Sequence, residues 1–233
     1  MQTVSRYDAQ ETWDAIADSF DTTRRAPWKR CLEFIETMKK TDVIVDLGCG
    51  NGRHLFPSAT QCSQAIGVDI SKKLLYIVQR KIKEKNVDNI SLSHADLVHL
   101  PFRDNSMDAA LCVASLHNIK GKYRRQEAVR EIYRILKPNG TAFVSVWSRW
   151  QDRYRTYFLR QFFIRSREFG DIDIFWRQHN LNIPRFYHLY SKKEFMQDLR
   201  DAGFTIEQMQ DARIHSKRFP DNYFATVSKD SKE

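Results

Sequence analysis

The chain has 233 residues, of which 42% are hydrophobic, so it can bury one sizeable core, and we predict a single domain over 1–233. Its formal net charge of +9 favours an anionic partner, such as a nucleic acid, an anionic membrane surface or an acidic substrate. The four cysteines have no C-x-x-C spacing, which argues against a zinc site or a disulfide framework and fits a reducing compartment.

Two amphipathic helices are predicted at the start of the chain, within 1–40. Apolar residues recur at helical spacing from Trp13 to Phe20 and from Trp28 to Met38, the second run following Pro27, which favours a first helical position. The first residues lack the apolar centre of a signal peptide, and no apolar run is long enough to span a bilayer. We therefore expect a cytoplasmic protein with no membrane association.

Strands and helices alternate in the next part of the chain. We predict strands at 43–47, 65–70, 90–94, 109–113 and 142–147, with Ser71 capping the helix after the second strand. Pro138 and Gly140 stop the helix before the fifth strand, and Ser191 opens a later helix that ends at Gly203. Two late strands follow, at 204–209 and 223–227. This order predicts a parallel sheet that ends in an antiparallel hairpin.

A glycine-rich turn follows the first strand. The strand ends at Asp46, and glycines then stand at 48, 50 and 52, where the backbone can approach a ligand closely. Asp69 closes the second strand, at the distance where a doubly wound fold places an acid on a ribose. Arg53 occupies the position where the dinucleotide fingerprint G-x-G-x-x-G needs glycine, so a NAD site is not predicted.

This D-x-G-x-G-x-G spacing resembles motif I of the class I S-adenosylmethionine (SAM) methyltransferases, and 69, 95–97 and 136–140 match further motifs of that family in order. The resemblance implies a Rossmann-like α/β fold with a seven-stranded, mostly parallel sheet, an antiparallel last strand and SAM as cofactor. It implies that glycine-turn amides hold the methionine part, Asp69 the ribose and Asp96 with Leu97 the adenine. The implied cofactor residues are Asp46, Gly48, Cys49, Gly50, Gly52, Asp69, Ile70, Asp96 and Leu97. For each acid taken alone, the alternative is a solvated strand end.

A basic, aromatic insertion is predicted after the fifth strand, at 149–190. Residues 149–193 contain ten Lys or Arg against four acids, a surplus of six, together with twelve of the chain's 29 aromatic residues. Arginines interleaved with aromatic rings suit single-stranded RNA, because cations neutralise phosphates and rings stack on unpaired bases. The alternative is a helical insertion whose aromatics form its own small core while the arginines face water, and it accounts better for most of the rings.

Five further stretches, 13–20, 23–28, 116–117, 185–190 and 221–224, resemble the methyltransferases that esterify 5-carboxymethyluridine at the wobble position of tRNA. The chain departs from the family's pattern at Ala26, Asn118 and 223–224. The resemblance implies the tRNA anticodon loop as substrate and a heterodimer with a small zinc-binding activator protein, which would extend the sheet from the third strand at Ile90 and Leu92. The zinc would belong to that partner, and no metal site is predicted in this chain.

Residues on the substrate side follow from the chemistry of a carboxymethyl group. The group is already an anion at neutral pH, so its oxygen can attack a sulfonium methyl without a general base. Candidate catalytic residues are Arg24 for the carboxylate or an adjacent phosphate, His117 facing the methyl, and Arg185 and Tyr187, with His188, for orienting the base. The alternatives are a stapling role for Arg24 and structural roles for His117 and His188. Two other functions stay open: a small-molecule methyltransferase of the quinone-precursor type, and a non-catalytic SAM-fold subunit that binds RNA.

Overall fold

The computed structural model describes residues 6–161 and 168–231, and the insertion's Arg165 and Arg167 lie outside this part of the chain. Two helices, α1 (Arg6–Thr23) and α2 (Lys29–Glu36), precede the first strand, as predicted. The prediction that Pro27 is the first residue of the second helix is wrong. Trp28 is the N-cap and has an extended backbone, so the helix begins at Lys29.

The central part alternates strands and helices: β1 (Val43–Leu47), α3 (Leu55–Gln61), β2 (Gln64–Asp69), α4 (Lys72–Lys85), β3 (Ile90–His94), β4 (Met107–Val113), a 3-10 turn (Leu116–Asn118), α5 (Lys122–Ile135) and β5 (Leu136–Trp147). The insertion contributes α6 (Arg155–Gln161), β6 (Asp171–Trp176) and β7 (Ile183–His188). The chain continues with α7 (Lys192–Asp201), β8 (Thr205–Ala212) and β9 (Asn222–Ser228). Ser191 caps the start of α7 as predicted, and Glu194 completes a capping box with it.

Seven strands form one sheet in the order β3-β2-β1-β4-β5-β9-β8. Strands β1 to β5 pair in parallel, and β9 runs antiparallel to both β5 and β8. This is the predicted class I methyltransferase sheet. Strand β5 begins at Leu136 rather than at 142, because a bulge opposite Met107 and Ala109 accommodates Pro138 and Gly140 within the strand.

Helices cover both faces of the sheet because side chains alternate along the central strands. On β4, Ala109, Leu111 and Val113 belong to the core under α2, α3 and α4. Ala110 and Cys112 belong to the core under α5 and α7. The carboxyl ends of the parallel strands therefore meet at one edge, where the glycine turn, the 3-10 turn and the insertion also lie, and where α/β folds bind ligands.

The insertion is not the helical unit that the alternative interpretation expected. Strands β6 and β7 form an antiparallel hairpin, and α6 supplies one short helix. The expectation of a separate small core is confirmed by five buried residues: Phe158, Ile172, Ile174, Tyr187 and Leu189. The hairpin is fastened to α1, since Trp176 donates its ring N–H to Ser19 Oγ at 2.8 Å. This contact brings the insertion over the ligand-binding edge of the sheet.

Candidate functional site

A cavity of about 980 Å³ opens at the carboxyl ends of β1, β2 and β4, under α1 and the hairpin. Eleven predicted site residues line it: Arg24, Gly48, Cys49, Gly50, Asp69, Ile70, Asp96, Leu97, His117, Arg185 and Tyr187. Asp46, Gly52 and His188 do not line it. Cofactor-side and substrate-side candidates thus share one chamber, large enough for a cofactor and part of a substrate.

The glycine turn has the backbone geometry that its sequence predicts. Gly48 has φ +74°, and a Cβ there would lie 2.1 Å from Ser115 Oγ, so only glycine lets the turn pass this close to the loop after β4. Gly52 has φ +82°, but a Cβ there would contact Phe56 and Val78 instead of entering the cavity. The third glycine therefore serves packing against α3 and α4.

Asp69 links the glycine turn to the second strand. Its two carboxylate oxygens accept the N–H groups of Gly50 and Ser71, each at 2.8 Å. Burial raises the pKa of Asp69 to about 6, while the hydrogen bonds from these amides act in the opposite direction. Each oxygen keeps a second lone pair, so the carboxylate can still accept hydroxyl donors from the cavity.

Asp46 lies behind the cavity wall, and its Oδ2 atom is buried without a hydrogen-bond partner. Burial raises the pKa of Asp46 to about 7, although the positive charge of Arg53 opposes that effect. Arg53 itself lines the cavity, with its guanidinium carbon 5.1 Å from the ring centroid of Trp28. From the sequence, Arg53 only excluded a dinucleotide site. Its position after the last glycine of the turn is the signal that could have marked it as a cavity residue.

Asp96, for which the resemblance implies a role with adenine, lies on the cavity wall. Its Oδ1 accepts the N–H of Val98 at 3.2 Å, and its Oδ2 accepts a hydrogen bond from Arg124 at 2.8 Å. Arg124 comes from the first turn of α5 and also lines the cavity. No sequence pattern indicates this pairing, because the two residues are 28 positions apart and meet only in the fold.

Three aromatic rings stack at the other end of the cavity. The His117 ring lies 5.3 Å from the Tyr187 ring, and Tyr187 lies 5.0 Å from Trp147, both pairs nearly parallel. The Nδ1 atom of His117 accepts the N–H of Trp147 at 3.1 Å. Burial and the charges of Arg185 and His188 lower the pKa of His117 to about 3, so its ring is neutral at pH 7. The single ring proton is then on Nε2, which can only donate.

Arg185 is buried beside these rings. One of its Nη atoms donates to the Tyr187 hydroxyl at 2.5 Å, and its Nε is buried with no hydrogen-bond partner. Its guanidinium carbon lies 4.8 Å from the ring centroid of Trp176. Arg24, which is exposed, lies 5.2 Å from the same ring. The structure therefore places two guanidinium groups on one tryptophan, an inner one and an outer one.

His188 points away from this chamber into a buried group of charges that joins the insertion to the core. The group, called here the ion cluster, consists of Arg125, Arg149, Glu168, Asp171, His188 and Glu194. His188 bonds Asp171 through Nδ1 and Glu194 through Nε2, each at 2.8 Å. The structural alternative for this histidine is thus supported.

Comparisons with known proteins agree with this geometry. Residues 45–144 match the model of a methyltransferase domain. The chain is 38% identical over 149 residues to a protein from Arabidopsis thaliana named tRNA (carboxymethyluridine(34)-5-O)-methyltransferase, a match that covers 64% of this chain and 35% of that protein. A Schizosaccharomyces pombe protein of the same name is 29% identical over 210 residues, covering 84% of this chain and 88% of that protein.

Among solved structures, the fold is similar to that in a complex of the Haloferax volcanii Trm112 methyltransferase activator with a putative methyltransferase, with a TM-score of 0.69, 18% identity and 98% of this chain covered, 99% of that one. The chain spans about a third of the length of the Arabidopsis relative and about a fifth of a mouse relative. No helix in the described ranges is long and apolar enough to cross a membrane.

The residues around the cavity fit SAM on two structural grounds. Asp69 offers free lone pairs on the cavity wall, and the turn at Gly48 and Gly50 has no side chains to fill the space. Together with the sheet order and the match over 45–144, these features lead to one conclusion. The chain has the fold of the class I methyltransferases, residues 45–144 match a methyltransferase domain, and the cavity fits S-adenosylmethionine as the cofactor.

Proposed function

We propose that this protein transfers a methyl group from SAM to the carboxylate of 5-carboxymethyluridine at the wobble position of tRNA, giving a methyl ester. The observation that carries the proposal is Arg185, a buried cation on the cavity wall whose Nε has no hydrogen-bond partner. A buried cation in this state favours an anionic ligand, because its desolvation is otherwise uncompensated. The names of the Arabidopsis and S. pombe relatives support a carboxymethyl group as that anion.

The chemistry asks the chain mainly to position the substrate. When bound, SAM supplies an electrophilic methyl group on a sulfonium sulfur. A carboxymethyl group, with a pKa near that of Asp or Glu, is ionised at neutral pH and needs no base to become a nucleophile. The contribution of the protein is then to hold the carboxylate in line with the methyl group.

His117 is suited to orient the substrate and not to take a proton from it. Its ring is neutral, and its Nδ1 is already used by the N–H of Trp147. Its Nε2–H can donate one hydrogen bond to a carboxylate oxygen. Stacking on Tyr187 fixes the plane of the ring, so the direction of that donor is set before the substrate arrives.

The two guanidinium groups on Trp176 have different roles, with Arg185 buried inside the cavity and Arg24 exposed at its outside. Arg185 is held by the Tyr187 hydroxyl and by the Trp176 ring, so it is the inner group, for the carboxylate. Tyr187 acts through Arg185, as a positioning residue. Arg24 also contacts the Trp176 ring but is exposed to solvent, so it can bind either the carboxylate or a neighbouring phosphate.

A tRNA substrate agrees with the charge of the cavity wall. Seven cations line it, namely Arg24, Arg25, Arg53, Lys120, Arg124, Arg153 and Arg185, against three carboxylates, Asp69, Asp96 and Asp173. A small neutral acceptor such as a quinone precursor would not need this surplus, whereas an anticodon loop carries a phosphate at each nucleotide.

A heterodimer with a small zinc-binding activator is part of the proposal. Strand β3 is an edge of the sheet, and Ile90 and Leu92 on it are half-buried. An open edge strand can pair with a partner's strand. The activator in the Haloferax volcanii complex supports a partner of this type. The buried free cysteines at 31, 49, 62 and 112 agree with a cytoplasmic location.

The test is mass spectrometry of nucleosides from tRNA incubated with the protein and labelled SAM. A labelled methyl ester is expected on tRNA that carries 5-carboxymethyluridine, and none on the same tRNA with plain uridine. Arg185→Ala should keep SAM binding and lose turnover, while Arg103→Ala, an exposed arginine outside the cavity, should change neither. Label on a small-molecule acceptor only, or SAM and tRNA binding without transfer, would overturn the proposal in favour of one of the two other functions.

A further inference from the structure

The loop between β8 and β9, residues 213–221, is basic and unusually well fixed. It carries Arg213, Lys217 and Arg218, all exposed, and its one acidic residue, Asp221, is buried at its end. Every backbone N–H from 214 to 219 donates to one of two carboxylates, Asp152 and Asp221. A loop that would otherwise leave these groups to water is therefore held in one conformation.

Each of the two carboxylates accepts three backbone N–H groups of the loop. Asp221 accepts the N–H groups of 214–216 at 2.8, 2.5 and 2.8 Å. Asp152 accepts those of 217–219 at 2.8, 3.0 and 3.0 Å. Hydrogen bonds from the backbone of Arg218 and its neighbours hold the pKa of Asp152 below its usual range. Burial tends to raise the pKa of Asp221, but its N–H donors outweigh burial and lower it. Both carboxylates are therefore ionised at neutral pH and continue to accept the hydrogen bonds that hold the loop.

Asp152 belongs to the insertion, so the loop and the insertion form one surface. Arg155 reinforces the junction, with its guanidinium carbon 4.3 Å from the ring centroid of Phe219. Arg153 and Arg155 are exposed next to Asp152. No described carboxylate forms an ion pair with the five cations of this surface: Arg153, Arg155, Arg213, Lys217 and Arg218. They remain available to an external anion.

The surface is continuous with the cavity. Ile214 and His215, from the loop, and Arg153, from the insertion, line both the cavity mouth and this basic face. A chain of anions that starts at the cavity can therefore pass over the loop without crossing another element. We propose that the β8–β9 loop binds the RNA phosphates that flank the nucleotide in the cavity, with Arg213, Lys217 and Arg218 as the contacts and Asp152 and Asp221 as the residues that order them.

This inference rests on the proposed tRNA substrate, and it goes beyond it by assigning backbone contacts to a segment outside the insertion. RNA backbone fits the surface better than a protein acid cluster, since the cations are spread along the loop and lead into a base-sized chamber. Phosphate contacts act through release of counterions, at about 0.7 in the logarithmic salt slope for each contact on a single strand. Loss of three contacts therefore predicts a slope smaller by about 2.

The experiment compares tRNA binding and methyl transfer by the complete chain, with its activator if one co-purifies, at several salt concentrations. The triple variant Arg213→Ala, Lys217→Ala, Arg218→Ala is expected to bind tRNA roughly 10- to 100-fold more weakly in low salt, with the reduced slope. SAM affinity and kcat should stay unchanged while KM for tRNA rises. The matched control removes three exposed cations elsewhere, Lys39→Ala, Arg103→Ala, Arg200→Ala, and should behave as wild type.

The variant Asp152→Ala distinguishes the effect of the loop's fixed conformation from the effect of its positive charges. It keeps all five cations but removes the acceptor of three backbone N–H groups, so tRNA binding should weaken while the salt slope stays close to that of the wild type. An unchanged affinity and slope in the triple variant of an active enzyme would overturn the loop assignment alone. Failure of the wild type to form the ester would instead overturn the proposed function. Loop-dependent binding to vesicles of anionic lipid, with tRNA binding unaffected, would assign the surface to a membrane and refute RNA.

Discussion

Replacing His188 by glutamine should destabilise the protein strongly, even though this side chain never reaches the cavity. Both ring nitrogens face carboxylates, Nδ1 at Asp171 and Nε2 at Glu194, so both must donate and the ring must be an imidazolium. Burial tends to lower the pKa of His188, but its hydrogen bonds to these two acids outweigh burial and raise it. Glu168, Asp171 and Glu194 then balance the charges of His188 and of the two arginines of the ion cluster.

The size of the effect follows from that balance. Glutamine has no charge and cannot donate in both directions, so one buried negative charge is left without compensation. Removing one partner from a buried ion pair costs about 3 to 5 kcal/mol. For a domain of this length, each kcal/mol corresponds to roughly 2–4 °C in Tm, so a fall of roughly 6–20 °C is expected at pH 6. His99→Gln, which changes an exposed histidine, is the control and should leave Tm nearly unchanged.

The pH dependence gives a second, independent readout. Because the pKa of His188 is raised on folding, its stabilisation is complete below the unfolded value of about 6.5 and is lost as pH rises through the folded value. Urea unfolding from pH 6 to pH 9 should therefore show the difference between wild type and His188→Gln shrinking by about 1.4 kcal/mol per unit above pH 6.5. A difference that is absent at pH 6, or constant over this range, would refute a buried imidazolium.

Three further predictions concern the cavity itself. Asp69→Ala should weaken SAM binding by about 1.5 to 3 kcal/mol, and it should also lower Tm because two backbone donors lose their acceptor. An unchanged SAM affinity in calorimetry would contradict the assignment of Asp69 to the ribose. Gly48→Ala should lower the free energy of unfolding by about 1 to 3 kcal/mol, because residue 48 has a positive φ and the new Cβ would clash with Ser115. The double variant with Ser115→Ala should recover only part of that loss. An unchanged Tm in Gly48→Ala would contradict this geometry. Arg24→Ala should lower turnover roughly ten- to a thousandfold with SAM binding intact, and Arg24→Lys should recover only part; full ester formation by a folded Arg24→Ala protein would leave the carboxylate to Arg185 and His117.

The metal-like arrangement of Glu168, His188 and Glu194 illustrates why geometry alone is insufficient evidence for a site. Their candidate ligand atoms lie within 4.8 Å of one another. A metal ligand histidine must be neutral and must offer a lone pair, whereas both nitrogens of His188 are donors here. The arginine partners of the two glutamates, Arg125 and Arg149, already supply the positive charge that a cation would bring. The group is therefore better described as a charge-balanced joint between the insertion and the core.

The sequence predicted the parts of the fold whose local signals are strong. Strand β1 and the turn at Gly48 were predictable, because an apolar run that breaks into alternating glycines has few structural solutions. The β6–β7 hairpin was missed because its alternating pattern, with Ile172 and Ile174 inward, is short and lies among charged residues that dominated the interpretation. Arg124 was not predictable as a cavity residue, since its place depends on how α5 packs beside the loop after β3, which carries Asp96.

The surroundings of Arg185 also suit a cation that assists the proposed reaction, in which charge disappears. A carboxylate loses its negative charge as it becomes an ester, so a tight ion pair would stabilise the substrate more than the transition state and slow the transfer. Arg185 is instead held by a tyrosine hydroxyl and by the faces of aromatic rings, and its Nε–H has no partner. The N–H groups that Tyr187 does not use, together with the Nε2–H of His117, can fix the direction of the carboxylate, while the aromatic faces share the positive charge of the guanidinium. Positioning by a limited number of hydrogen bonds, rather than by charge pairing, is what a nucleophile that is already ionised requires.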